Sequence, residues 1–270
     1  MKQDPKIVYK YRDWKNPFHK KILIENKLYL ASPKDFNDPF DCRINHNFSI
    51  LTPKEEEEYI TALAIRHFPE AERLGVDYAP IIKDFETRFR NKPEFQKFAD
   101  SILFENQDKY YAIFSSSLRW NSILMWSHYA ANHTGFCIGF WHQKLFNSRL
   151  FGKGGPVIYK TDFPIIKPRP ATKDDQMMID SFTETHSKAK EWHYEKEYRF
   201  MSTSPKELTN KDRSVPIKDD FFAEIILGIS MDEHDKNEII ELCKTKGIKV
   251  YQAKKVDFKF KLKRGKIKII

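Results

Sequence analysis

Glu191–Met201 reads EWHYEKEYRFM and crowds aromatic side chains, three carboxylates and an arginine into a run that also looks like a strand. If its later part is extended, alternation sends Glu195, Glu197, Arg199 and Met201 to one face and Lys196, Tyr198, Phe200 and Ser202 to the other. Two carboxylates and a guanidinium then share a face. On this reading the arginine neutralises one carboxylate and leaves the other, taken to be Glu197, available. The plain alternative is a charge ladder on a half-buried strand, with Tyr198 and Phe200 packed into the core.

Upstream, residues 173–190 read as a helix, 157–160 as a short strand, 152–156 as a turn and 163–170 as a proline-rich connector. NSILMWSHYAANH (121–133) reads as a helix stopped near Gly135, between strands at 110–117 (YYAIFSSS) and 136–140. The chain opens with a strand at 6–11 (KIVYKY), a helix capped by Asp13 and running to about 27, and a strand at 28–31. SPKDFNDPF (32–40) is a loop shaped by two prolines around Asn37 and Asp38. From 51 to 107 the pattern turns helical, with a capping box at Thr52 and Glu55 and new starts near Pro80 and Pro93. Downstream come a strand at 224–228, a helix at 232–246 and strands at 248–252 and 256–263. The last of these alternates, with Val256, Phe258, Phe260 and Leu262 expected inward and Asp257, Lys259, Lys261 and Lys263 outward. Strands separated by helices at both ends predict an α+β fold over residues 1–270, a single domain with a helical insertion at about 51–107.

A charge of +9 over 270 residues allows attraction to nucleic acid or to nucleotide phosphates. Much of the excess is local, because residues 254–266 hold seven of the 47 lysines and arginines. Cys42, Cys137 and Cys243 lie far apart and form neither a zinc signature nor a disulfide framework. No apolar leader or bilayer-length run is present, so a cytoplasmic protein without membrane contact is expected.

Four clusters carry candidate chemistry: Tyr11 with Arg12; Asn37 with Asp38; Ser115–Arg119 with Trp126, His128, Tyr129 and His133; and Glu195, Glu197 and Arg199. The histidines are not spaced as an i, i+4 metal pair, and no nucleophile elbow, phosphate loop or HExxH motif is present. Asp35, Asp38 and Asp41 with the two glutamates offer hard ligands, but their spacing demands no cation, and no metal is assigned. Departure of a leaving group from a ribose creates an oxocarbenium-like state that a carboxylate stabilises. A dinucleotide such as NAD also needs cations for its phosphates and an aromatic surface for its nicotinamide.

The order Arg12, then Ser115-x-Ser117, then Glu195-x-Glu197 resembles the arginine, serine and glutamate motifs of the ADP-ribosyltransferase superfamily. That resemblance implies a split sheet with a nicotinamide cleft. Arg12 would hold the NAD, Ser115 and Ser117 would brace the cleft, Glu197 would engage the nicotinamide ribose and Glu195 would help the acceptor. Tyr11, Asn37, Trp126 and Tyr129 join the candidate NAD-binding residues, and His128 the catalytic ones. Ser-Ser-Ser stands where the superfamily has Ser-Thr-Ser. YKYR, LYLASPKDFNDPF, FSSS, MWSHYAANHTGFCIGF, VIYK and EWHYEKEYRF also resemble, in order, an uncharacterised bacterial family of unknown function. This second resemblance implies a soluble prokaryotic protein, in some cases associated with phage defence.

Two other readings compete with NAD-dependent transfer or hydrolysis. A basic, aromatic-rich chain can bind or cleave nucleic acid, although lysines on a final strand also guard a sheet edge. Alternatively, Arg12, Asn37, His128 and Glu197 form a buried polar network that holds a noncatalytic interaction protein together.

Overall fold

The computed structural model describes residues 4–68, 74–75, 77–169 and 175–267. The chain forms two compact units: Met1–Phe36, Lys109–Tyr159 and Ala189–Ile270 make one, and Asn37–Asp108 with Lys160–Lys188 make the other. The expected helical stretch at 51–107 thus shares the second unit with residues 160–188.

In the first unit the chain begins with β1 (Ile7–Arg12), a helix at Pro17–Ile24 and β2 (Lys27–Tyr29). Asn16 caps that helix through its side chain, with Pro17 at the first turn, whereas the Asp13 carboxylate accepts from the Lys15 amide. The other strands are β3 (Tyr111–Ser117), β4 (Phe136–Trp141), β5 (Lys153–Pro156), β8 (Glu197–Thr203), β9 (Ser214–Pro216), β10 (Phe222–Leu227), β11 (Val250–Val256) and β12 (Lys259–Lys266). Short β6 (Ile158–Lys160) and β7 (Ser187–Ala189) lie where the chain passes from one unit to the other. The fold is α+β, built on an eight-stranded mixed sheet in the order β12-β11-β10-β4-β1-β3-β8-β5. Only β10 and β11 in it run parallel, joined by the helix Glu233–Lys246, which Asp232 caps and Gly247 ends.

Alternation gives the sheet two apolar faces. Val8, Phe114, Ile138, Phe140, Phe200 and Ile225 pack on one side with Trp14, Leu23, Ile239 and Cys243. Tyr9, Tyr11, Cys137, Ile226, Ala253 and Leu262 pack on the other with Met125 and Trp126 of the helix Ile123–Tyr129. The ladder between β1 and β3 closes only at Tyr9↔Ser117, whereas β1 pairs along its whole length with β4 and β3 along its whole length with β8. The sheet therefore parts between β1 and β3.

Several expected elements differ. The segment 152–156, expected as a turn, contains β5, which pairs with β8 from Lys153↔Met201 to Pro156↔Tyr198. The helix at 121–133 ends at Tyr129, and Ala131, Asn132 and His133 follow with left-handed φ of 46°, 51° and 70°. The helix at 173–190 covers Asp175–His186, and residues 173 and 174 lie outside the described ones. The strand expected at 256–263 is broken after Val256 by a turn at Asp257 and Phe258, where Phe258 takes a φ of 57°. Phe258 and Phe260 are consequently fully exposed, at 107% and 102%, and only Leu262 of that inward set is buried.

The second unit contains helices at Pro53–His67, Ala79–Arg90 and Asp175–His186, and most of the helix Lys92–Tyr110. The Thr52–Glu55 capping box forms as expected. Phe48, Leu51, Ile60, Phe89 and Phe95 make its core, with Phe48 edge-on to Phe95 at 5.1 Å. The unit also holds a buried Lys188–Asp41 ion pair at 3.3 Å and a Glu184 that contacts His46 at 2.7 Å and accepts from Gln107 at 3.1 Å.

Candidate functional site

The stretch at 191–201 is not a single strand. Lys190–Glu195 forms a 3₁₀ helix, Lys196 turns the chain in the left-handed conformation with φ 45° and ψ 50°, and β8 starts at Glu197. Glu195 therefore leaves the alternating series, and only Glu197, Arg199 and Met201 share the predicted face. The turn is pinned because the Leu118 amide donates to the Lys196 carbonyl at 2.8 Å and the Ser117 hydroxyl to the Glu195 carbonyl at 2.5 Å.

Arg199 is fully buried and holds Glu197 bidentately, with Nε to Oε1 at 2.7 Å and the second guanidinium nitrogen to Oε2 at 2.9 Å. Its guanidinium also lies 5.2 Å from the centre of the Phe36 ring. The carboxylate expected to be available is thus the neutralised one. Glu195, also buried, accepts a 2.6 Å hydrogen bond from the Tyr129 hydroxyl. The Glu197 amide donates to Tyr159 Oη at 2.8 Å, a contact the sequence did not suggest.

Ser115 and Ser117 lie across from Arg199 and Glu197 in the β3–β8 ladder, so these four residues share one face. Two other candidates belong to the core. Tyr11 donates to the Arg119 carbonyl at 2.7 Å and packs edge-on against Trp126, whose indole N–H donates to the Trp120 carbonyl at 2.8 Å. Burial raises the Tyr11 hydroxyl pKa well above its usual value. His133 stacks on Trp126 at 6.2 Å, and burial, then Lys255, lowers its pKa. His128 is exposed and lies 5.9 Å from the Tyr194 ring, one residue before Glu195. Asn37 belongs to the second unit, where the neighbouring Asp38 turns the chain by accepting from the Phe40 amide at 3.0 Å.

A cationic group that sequence reasoning missed lies along β1. Lys10 and Arg12 are two residues apart and so share the face opposite Tyr9 and Tyr11. Lys10 Nζ donates to the Ser115 carbonyl across the parted strands and lies 5.3 Å from the centre of the Phe114 ring. Arg12 reaches only its neighbour's carbonyl, that of Tyr11, at 3.5 Å. Among the described residues, neither cation lies within ion-pair distance of a carboxylate. Burial, then the charge of Arg12, pulls the Lys10 ammonium pKa well below its ordinary value, while Glu197 and Glu195 act the other way. Burial lowers Arg12 to about 10. Burial and then Arg12 push His19, whose Nδ1 accepts from the Asp13 amide at 3.3 Å, down to about 4.

Residues 125–200 match the family described as protein of unknown function (DUF2971). The DUF2971 stretch begins within the helix that carries Tyr129 and ends within β8, so it contains Tyr129, Glu195, Glu197 and Arg199. No curated protein and no solved structure matches the chain.

The structure therefore joins Ser115, Ser117, Glu197 and Arg199 on one sheet face, that of Tyr9 and Tyr11, and ties Tyr129 to Glu195, whereas Lys10 and Arg12 project from the opposite face. It places Lys10 within electrostatic reach of Arg12, Glu195 and Glu197. Arg12 and His128 do not meet at one point: Arg12 sits on β1 among Lys10 and His19, and His128 sits at the surface by Tyr194. Alternation of a lysine and an arginine with apolar residues in KIVYKYR was the signal for Lys10. Among the described residues, His234, Asp235 and Glu238 also bring ligand atoms within 4.8 Å of one another, but Glu238 is already engaged by Trp14 Nε1 and Lys20. No helix among the described residues is long and apolar enough to cross a membrane.

Proposed function

We propose that the first unit binds a nucleotide through its phosphates where β1 and β3 part, and that its substrate is NAD, as the ADP-ribosyltransferase resemblance implies. The observation that carries this reading is the pair of half-buried cations, Lys10 and Arg12, with no carboxylate in ion-pair contact among the described residues. Burying charge without a partner is costly, and a phosphate supplies the missing anion. The carboxylates at the start of β8, on the other face of the sheet, are proposed to supply the rest of the chemistry through the parting between β1 and β3.

In this reaction the bond from the ribose anomeric carbon to the nicotinamide nitrogen breaks, and its electron pair leaves with neutral nicotinamide. Glu195, oriented by the Tyr129 hydroxyl, stabilises the positive charge left on the ribose. An acceptor oxygen, or water, forms the new bond to that carbon and releases its proton to the carboxylate or to solvent. Glu197, clamped by Arg199, sets the start of β8 and so the position of the ribose against it.

The test is nicotinamide release from NAD, followed chromatographically. The wild-type protein releases it, and Glu195→Gln, which keeps an acceptor oxygen for Tyr129, loses it while still binding NAD. Absence of both NAD binding and release in the wild-type protein would overturn the reading. The mutual satisfaction of Glu197 with Arg199 and of Tyr129 with Glu195 favours a second one, in which these residues only brace the fold. It predicts stability loss in their variants and no nucleotide binding at all.

A further inference from the structure

We infer that the β11–β12 hairpin is a binding finger for single-stranded nucleic acid, with Phe258 and Phe260 stacking on bases and a lysine stripe following the phosphates. This goes beyond the nucleotide reading and does not rest on it.

The ribbon projects from the sheet. β10 pairs with β11 only at Val250–Gln252, so from Ala253 onward the two strands of the hairpin have only each other. Its base is fixed. Ala253 and Leu262 are buried, and the Arg264 guanidinium lies between the rings of Tyr251 and Trp120, at 4.6 and 5.2 Å, while pairing with Glu224. The tip is thus presented on a firm support, which lowers the ordering cost of binding.

At that tip the chain places a phenylalanine where glycine is at ease, with φ 57°, and leaves both aromatic rings wholly in water. Lys259, Lys261 and Lys263 share one face of the ribbon, and Lys254 lies directly across from Lys263 on the same face. None of these four lysines forms an ion pair among the described residues. Phe260 projects from the opposite face, together with Leu262.

This arrangement favours a flexible polyanion over a lipid surface. Lys259 and Lys263 are roughly 14 Å apart along the strand, beyond the Debye length of about 8 Å at physiological salt. A tip-first insertion leaves the far lysines outside the surface field, and a ribbon lying flat on its lysine face turns Phe260 away from the membrane. A single strand bending around the tip meets the lysines and both rings, and its unpaired bases offer faces for stacking.

The experiment uses the full chain and fluorescence anisotropy of a labelled oligothymidylate, with a duplex of equal length and phosphatidylserine vesicles as the other arms. The wild-type protein binds the single strand in preference to both. Phe258→Gly and Phe260→Ser each weaken binding at least about fivefold. Phe258→Gly keeps or raises Tm, because glycine relieves the left-handed backbone, so its loss of binding cannot come from unfolding. Lys261→Gln lowers the slope of log affinity against log salt by about 0.7. No binding to the single strand, wild-type affinity in both phenylalanine variants, or preference for vesicles or duplex would overturn the inference.

Discussion

Replacing Arg12 with methionine should stabilise the protein. Burial lowers the guanidinium from its ordinary value to about 10, and at roughly 1.4 kcal/mol per unit the half-buried charge costs at most about 3 kcal/mol. The folded pKa is the depressed one. The cost is therefore present in full below about pH 10, where folded and unfolded chains are both charged, and it fades as pH rises through 10 toward the ordinary guanidinium value. Methionine keeps most of the apolar stem and loses only a 3.5 Å contact with the Tyr11 carbonyl. Allowing for partial exposure of the side chain, a net gain of about 1–3 kcal/mol follows, or roughly 2–8 °C in Tm by scanning fluorimetry. A local readout accompanies it, because Arg12 is the second cause, after burial, of the low His19 pKa. The His19 imidazole, followed by NMR, should titrate above 4 in the variant. A destabilisation of more than about 1 kcal/mol with His19 unmoved would show that the guanidinium has a partner, and would refute the account of Arg12 as an uncompensated cation.

The same imidazole makes stability depend on pH. Its folded pKa of about 4 lies below the ordinary value of 6.5, so the unfolded chain takes up the proton first and stability falls between pH 6.5 and 4, by about 2–3 kcal/mol; His19→Gln should flatten that limb in urea titrations. Gly135→Ala places a Cβ 2.2 Å from the Arg12 carbonyl and 3.0 Å from the Ala130 backbone, neither of which is a flexible side-chain end, so a loss of at least about 2 kcal/mol is expected in chemical denaturation. Glu197→Gln removes one half of a buried ion pair and should cost about 3–5 kcal/mol; unchanged stability would mean that the other groups around Arg199 suffice to hold it.

Legibility followed backbone handedness. The strands at β1, β3, β4 and β10 and the helix Glu233–Lys246 were readable because alternation, Asp232 and Gly247 carry local signals. The places that escaped are those where a residue other than glycine adopts positive φ: Lys196 ahead of β8, Ala131–His133 after the helix, and Phe258 at the hairpin tip. No turn-forming dipeptide marks these positions, so alternation was carried straight through them, which put Glu195 on the strand and Phe258 and Phe260 in the core. Glu197 beside Ser117 was legible because both lie on regular strands. Lys10 had a signal in the alternation of KIVYKYR, two residues before Arg12 on β1, whereas His19 did not, because it reaches Arg12 only through the turn from β1 into the helix Pro17–Ile24.

Calorimetric titration of NAD into the wild-type protein and into Lys10→Met, at low salt, tests the proposed site most directly. The account predicts saturable binding by the wild-type protein and at least a tenfold loss, about 1.4 kcal/mol, in a variant that is no less stable. Equal binding by the two proteins, or none by either, would contradict it.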